Sequence, residues 1–473
     1  MSITPHGAVT IPRSSEDGAG PGRSGRWAPY PLALLVFIAF GTLAIGRHAR
    51  FQTGGYDLGI FEQAIRGYAH LGPPIAALKG PGFNLLGDHF HPILIVIAPF
   101  YRVFPSPLTI LLFQAALIAV SVIPVARLAI ATAGVAGGMG IGVAYGLSWG
   151  FQSAVDFDFH EVAFAVPLVA FSLVAIVEKR WRSAVLWALP LVLVKEDLPA
   201  TVAAIGLVIA LRGQRRTGIA LIGFAVAAGV AIVAFIIPAF NPQHVYAYSV
   251  NKYPTDQGPL ARMFTPVAKW RTLFWIVLPT AFLAPISSLF LVAVPTLLWR
   301  FWSTNPLYWE MGFQYNAILM PIVFVAFVES MSTLTFFTRD ARRKLAVSIA
   351  AAALTVVYTY ASPWALNSLL DGNNWRLSAE VKAAKELLEK IPSGATVAAD
   401  NHFAAQLTSR CTVYFFPDHP GDGTDPEWVV YGTPLDVSMA SAEVIEAELN
   451  SVKDRYTVVA SNSSGVLLRL RRT

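Results

Sequence analysis

Apolar runs close to 20 residues long recur along most of this chain, and a run of that length is what an α-helix needs to cross the hydrocarbon core of a bilayer. They fall at 31–46, 107–127, 132–150, 161–178, 183–194, 198–211, 217–239, 272–285, 286–299, 317–336 and 345–362, which predicts about eleven crossings. Only 14% of the 473 residues are charged and 55% are apolar. That excludes a disordered chain and an ordinary soluble globular one. The single cysteine, Cys411, excludes a disulfide framework and a cysteine-based zinc or redox centre.

The net charge of +6 hints at nucleic acid, but the basic residues sit where a membrane protein puts them. Arg13, Arg23 and Arg26, then Arg127, then Lys179, Arg180 and Arg182, then Arg212, Arg215 and Arg216, then Arg339, Arg342, Arg343 and Lys344 fall on one side if the spans alternate. Cytoplasmic loops carry that excess. The alternation requires that 91–104, short and interrupted by Pro92 and Pro99, lie in the outer interface without crossing. The expected arrangement is a plasma-membrane protein with a cytoplasmic N-terminus and an extracytoplasmic C-terminus.

Residues 1–26 read as a disordered cytoplasmic tail, 27–363 as the multi-spanning domain with a large first outer loop at 47–106, and 364–473 as an extracytoplasmic domain. In the last, alternating strings at 395–399, 412–416, 428–431, 456–460 and 465–470, with helical patterns at 378–390 and 441–451, predict a small α/β fold.

Ionisable residues beside spans are costly and mark candidate sites. Four such clusters land on the outer boundary: 56–63 with Asp57 and Glu62, 87–92 with His89 and His91, 156–161 with Asp156, His160 and Glu161, and the hairpin Lys195-Glu196-Asp197. Asp156 and His160 are four apart and share a helix face. Carboxylate and imidazole suit a divalent cation, the one cofactor this composition suggests, with Asp156, His160 and Glu161 as its ligands and His89 or His91 as further candidates. Asp57 opens a segment, 56–68, whose apolar residues recur at helical spacing and predict a helix lying on the outer surface, with capping as the plain role for its carboxylate. Lys195-Glu196-Asp197 is either a self-neutralising turn or a phosphate holder. Lys252, Arg262, Lys269 and Arg271, interleaved with Tyr246, Tyr248 and Tyr253, place unusual positive charge in the loop after residue 240. Gly134, Gly138, Gly142, Gly146 and Gly150 form a small-residue stripe for helix packing, not a nucleotide loop. Trp299, Trp302, Tyr308, Trp309 and Tyr315 read as an interfacial belt.

The motifs Tyr56-Asp57-Leu58-Gly59-Ile60-Phe61-Glu62-Gln63, His89-Phe90-His91-Pro92-Ile93, Phe157-Asp158-Phe159-His160-Glu161 and Leu193-Val194-Lys195-Glu196-Asp197, in this order, resemble a prokaryotic family of polytopic membrane proteins, the DUF2079 family of unknown function. That family is in turn similar to the type C (GT-C) glycosyltransferases. The resemblance implies a GT-C-like fold and inverting transfer of a sugar from a polyprenyl-phosphate donor to an extracytoplasmic cell-envelope acceptor. Asp57 is then the base, and Glu62, His89, His91, Lys195, Glu196 and Asp197 the residues that hold substrate. Where the family often has His-Tyr, this chain has Gln314-Tyr315, so no histidine role carries over there.

A transporter or flippase for a lipid-linked or anionic substrate is the alternative, with a wall-binding scaffold as a third class. Transport predicts charges in both halves of the membrane and an inverted repeat; the acids here gather on one side and no repeat is seen. Deleting 375–473 is expected to abolish a scaffold while leaving an enzyme some activity.

Overall fold

The computed structural model describes residues 23–249, 258–338, 340–361, 364–417 and 425–471. Most of the expected tail, together with Lys252, Tyr253 and Arg339, lies outside the described residues. Helix begins earlier than expected, at Arg23–Trp27, and continues as Pro29–Ala49. Among the described residues five helices are long and apolar enough to cross a membrane: Gly25–Ala49, Pro107–Asp156, Arg215–Phe240, Gln314–Thr333 and Ala341–Ala361. Four shorter apolar helices, Glu161–Val177, Trp181–Leu193, Leu198–Leu211 and Ser288–Trp302, pack among them. The 91–104 stretch is two short pieces, Pro92–Val96 and Ala98–Val103, because its prolines remove helix donors.

The expected spans at 107–127 and 132–150 run as one helical stretch broken at Gly134, whose φ of 73° turns the chain back. Glycine takes that left-handed conformation without a Cβ clash, so Gly134 is the turn and not a member of the packing stripe. The other stripe glycines do pack: a Cβ would lie 2.3 Å from the Ile130 nitrogen at Gly138 and 3.1 Å from the Ala126 Cβ at Gly142. Gly138→Val should therefore cost about 1–3 kcal/mol of stability by overpacking. Thermal unfolding of the detergent-solubilised protein checks this, and an unshifted midpoint would mean that the two helices separate there.

Polar residues sort to the two ends of the bundle. At one end Arg127 bonds the Tyr30 hydroxyl at 3.0 Å, Lys344 the Thr132 carbonyl at 3.0 Å, and Arg212 forks onto Glu329 at 2.7 Å. At the other end lie all four acidic clusters.

The C-terminal residues form a five-stranded sheet where the alternating strings predict it: β1 (Thr396–Ala399), β2 (Thr412–Phe415), β3 (Trp428–Gly432), β4 (Tyr456–Asn462) and β5 (Gly465–Leu470), in the order β2-β1-β3-β5-β4. β1 runs parallel to β2 and β3, while β5 is antiparallel to β3 and β4. The sheet is docked on the first loop, not tethered beside it. Gln63 donates to the Val413 carbonyl at 3.0 Å, Arg66 to the Thr408 and Cys411 carbonyls at 2.8 Å, and Gln406 to the His48 carbonyl at 3.0 Å.

Candidate functional site

Asp57 is delivered to the site by a close backbone approach. A Cβ at Gly55 would stand 2.6 Å from the Ala404 Cβ, so only glycine lets the short helix Asn401–Ala404 of the C-terminal domain lie against this loop. Asn401 then accepts the Tyr56 N–H at 2.8 Å. The next residue, Asp57, adopts φ 71° and ψ −75°, a conformation that costs a non-glycine residue about 1–3 kcal/mol and marks functional loops. The expected helix follows at Ile60–Ala69, but Asp57 does not cap it. Its carboxylate turns to His160, with Oδ2 3.1 Å from Nε2.

His160 is fixed from three sides. Its ring stacks on Phe157 at 5.1 Å and meets the edge of Phe61 at 6.0 Å. Gln114, buried near the start of the Pro107–Gly146 helix, accepts the His160 N–H at 2.9 Å and donates to the Asp158 carbonyl at 2.6 Å. Asp158 in turn accepts the Gly54 N–H at 2.8 Å, tying the two loops together. Burial pushes the Asp158 carboxyl up to about 7.

Lys195 does not form a self-neutralising turn with its neighbours. It pairs with buried Glu161 at 2.7 Å, while Glu196 accepts from His89 at 2.5 Å, from the Phe90 N–H at 3.2 Å and from the Tyr246 hydroxyl at 3.2 Å. Burial opposes ionisation of Glu196, yet His89 and Lys195 outweigh it and hold the carboxyl well below its usual range. His89 stacks on Tyr248 at 4.3 Å, whose hydroxyl reaches Asp88 at 3.2 Å. His91 is buried against Phe61, and desolvation lowers its pKa to about 4, so its imidazole is neutral. Burial raises Asp197 to about 6. His160 and Glu161 are consecutive residues, which brings the two ion pairs into one cluster.

The cluster combines a part-exposed carboxylate, a part-exposed ammonium and several buried polar atoms that lack a protein partner among the described residues, including Nδ1 of His160, Nδ1 of His91 and Oδ1 of Asp197. Such atoms cost about 1–3 kcal/mol each unless something else satisfies them. Their concentration here points to a place where solvent or substrate does so.

The expected cation ligands do not converge. Asp156 is exposed and pairs with Arg47 at 2.6 Å, Glu161 is taken by Lys195, and His160 by Asp57. No group of three His, Cys, Asp or Glu side chains able to hold a metal occurs among the described residues, so these three residues do not fit a shared cation. Glu62 also departs from the substrate-holding role. The helix that carries it is buried on more than one face, and Glu62 accepts from the Tyr101 hydroxyl at 2.9 Å and from Thr408 at 2.5 Å, between bundle and sheet.

Burial raises the Glu62 carboxyl from 4.5 to about 7. A raised acid favours the folded state fully below the unfolded pKa and loses that advantage as pH climbs through the folded one. The Glu62 carboxyl should therefore contribute a loss of thermal stability of roughly 2–3 kcal/mol between about pH 4.5 and 7, and Glu62→Gln should be flatter than wild type across that window. Parallel curves for the two proteins would show that the carboxyl is ionised throughout.

Several residues at this end carry no sequence signal of their own. Arg47 and Asn401 are ordinary polar residues until the fold supplies their partners, whereas Gln114, a lone amide within an apolar span, is a signal that intramembrane polarity could have supplied. The aromatic belt is a packed cluster: Trp299, Tyr308 and Tyr315 lie 5.2–5.8 Å apart. Buried Arg300 underlies it, bonding the Tyr308 carbonyl at 2.6 Å and Asn316 at 3.0 Å. Arg262 and Lys269 donate to carbonyls of Trp302 and Phe301, so they tie their segment to the end of the Val294–Trp302 helix. Arg271 lies 3.6 Å from Glu310.

Fold and site together define a polytopic membrane protein whose C-terminal mixed sheet presses a charged loop cluster onto one end of a helical bundle. The chain belongs to the DUF2079 family of predicted membrane proteins, whose model matches residues 47–468. Its fold is similar to that of ArnT from Cupriavidus metallidurans bound to undecaprenyl phosphate, with a TM-score of 0.60 at 11% identity over 94% of this chain and 98% of that one. The apo state of the same protein gives a TM-score of 0.53 at 11% identity over 93% and 97% of the two chains. No curated protein matches this chain.

Proposed function

We propose that this protein is an inverting GT-C-type glycosyltransferase that moves a sugar from a polyprenyl-phosphate donor to a cell-envelope acceptor on the outer face of the plasma membrane. The observation that carries this reading is the Asp57–His160 pair beside the Lys195–Glu161 pair at one end of the bundle. The similarity in fold to a protein bound to undecaprenyl phosphate supports the choice of carrier.

In the reaction an acceptor hydroxyl attacks the anomeric carbon while the bond from that carbon to the phosphate oxygen breaks. Asp57 takes the hydroxyl proton, and the lipid phosphate leaves as an anion. General-base help of this kind is worth about 10²–10⁴-fold. His160 orients the Asp57 carboxylate, and the strained backbone keeps it aimed. Lys195 meets charge growing on the departing phosphate. A phosphate is a good leaving group, so no carboxylic acid is needed to protonate it, unlike in glycoside hydrolysis.

Mass spectrometry of envelope glycans and polyprenyl-phosphate sugars in a strain lacking the protein tests the proposal. An accumulated lipid-linked sugar with a missing glycan residue is expected. An unchanged profile would overturn the transferase reading and favour transport.

A further inference from the structure

At the end of the Pro29–Ala49 helix, lined in part by the Arg47–Asp156 pair, an open cavity of about 520 Å³ reaches to the segment leading to the C-terminal domain. Its size falls within the range that holds a small ligand. Trp364 forms part of its wall, buttressed by Trp149 at 5.7 Å between ring centres. Arg47, Arg50, Gln52 and Asn374 supply polar groups around it.

The two arginines differ. Arg47 is neutralised by Asp156 at 2.6 Å. Arg50 donates to the Asn374 carbonyl and to the Gln52 side chain at 3.2 Å, but no carboxylate among the described residues pairs with it. The Nε–H of both arginines is buried without a partner. Asp371 also lines the cavity, its carboxylate accepting the Asn373 N–H at 2.9 Å, so among the described residues Arg50 is the one guanidinium of the lining with no carboxylate on it while Asp371 keeps its own charge. An unpaired guanidinium beside a second one, with an aromatic wall and amides around it, suits a ligand with one anionic group and a ring of hydroxyls. The cavity also borders the reacting loop. Gln52 stands two residues before Gly54 and Asp156 two before Asp158, the two residues whose bond joins the loops at Asp57.

We propose that this cavity is the acceptor subsite and that the acceptor is an acidic sugar, its phosphate or carboxylate on Arg50 and its ring on Trp364. This rests on the transferase reading above. Guanidinium pairing with an oxyanion is strong because both partners are charged and the fork fits planar oxyanions. Arg50 therefore sets specificity, and catalysis requires that the acceptor hydroxyl reach Asp57 past the Gly54–Asp158 junction.

Equilibrium binding to the purified full-length protein in nanodiscs tests this with three probes: a glucuronic-acid disaccharide, glucose 1-phosphate and the neutral disaccharide maltose. At least one acidic probe should bind about tenfold or more tighter than maltose, as a charge-assisted hydrogen bond requires. Preference for the uronate or the phosphate names the anion. Arg50→Gln should erase that preference, and Arg50→Lys should restore part of it. Equal binding of all three probes, or an acidic preference that survives Arg50→Gln, would overturn the subsite. Binding needs no turnover, so an acidic preference in a protein whose deletion leaves envelope glycans unchanged would sink the transferase reading while the anion site stood.

Discussion

Asp57→Asn is expected to lower sugar transfer by about 10²–10⁴-fold, the range associated with losing a general base, while the protein still inserts and folds. The amide keeps the shape of the carboxylate and can still contact His160, but it cannot take a proton from the attacking hydroxyl. Complementing a deletion strain with this variant separates chemistry from architecture. The lipid-linked donor should accumulate as in the deletion, although membrane levels and thermal unfolding match the wild type. Restored glycan would remove Asp57 from the mechanism. Reduced membrane levels would show that the strained loop, with Asp57 at φ 71°, depends on the carboxylate for folding.

Lys195 is expected to give the second large effect, one that divides into two parts. Lys195→Met leaves Glu161 buried without its partner, since the pair is 2.7 Å apart and the Glu161 side chain is only 2% exposed. Breaking one side of a buried pair costs about 3–5 kcal/mol, so stability and transfer should fall together. The double variant Lys195→Met with Glu161→Leu removes both charges, and replacing a buried pair by apolar groups is often neutral or stabilising. Thermal stability should return in the double variant, whereas transfer should not if Lys195 meets the departing phosphate. Recovery of both properties would reduce Lys195 to a structural role.

The C-terminal domain changes the meaning of truncation. Deleting 375–473 removes Asn401 from Tyr56 and Thr408 from Glu62. An enzyme of this construction should then lose transfer as fully as a scaffold loses binding. The expectation of residual activity after deletion treats the domain as separable, and the packing of Asn401–Ala404 on the Asp57 loop contradicts that.

Much of this was legible because membrane and sheet periodicities are local. Runs of apolar residues gave the bundle, and alternation placed the five strands within a residue or two. The sorting of charges predicted that Asp57, His89, His160 and Lys195 would share an end of the bundle. Pairing was not legible, because it is set by contacts between residues far apart in sequence. Asp156 and His160 share a helical spacing, yet the turn at Asp158, with φ 63°, sends one to Arg47 and the other to Asp57. Glu62 lies in the same motif as Asp57 but faces Thr408, a residue 346 positions on. The hairpin between the spans at 107–127 and 132–150 was expected, but its turn falls at Gly134, inside the second run, because the residues around it are as apolar as the helices it joins.

The whole account stands on Asp57 and its partners opening to the outside of the cell. Thiol labelling of intact cells with a membrane-impermeant maleimide tests that most directly, and the single native cysteine makes a Cys411→Ser background simple to build. Tyr56→Cys, next to Asp57 and 47% exposed, should label before permeabilisation, and Arg343→Cys at the opposite end only after it. The reverse order would place the cluster in the cytoplasm and contradict an enzyme that works on lipid-linked sugars at the outer face.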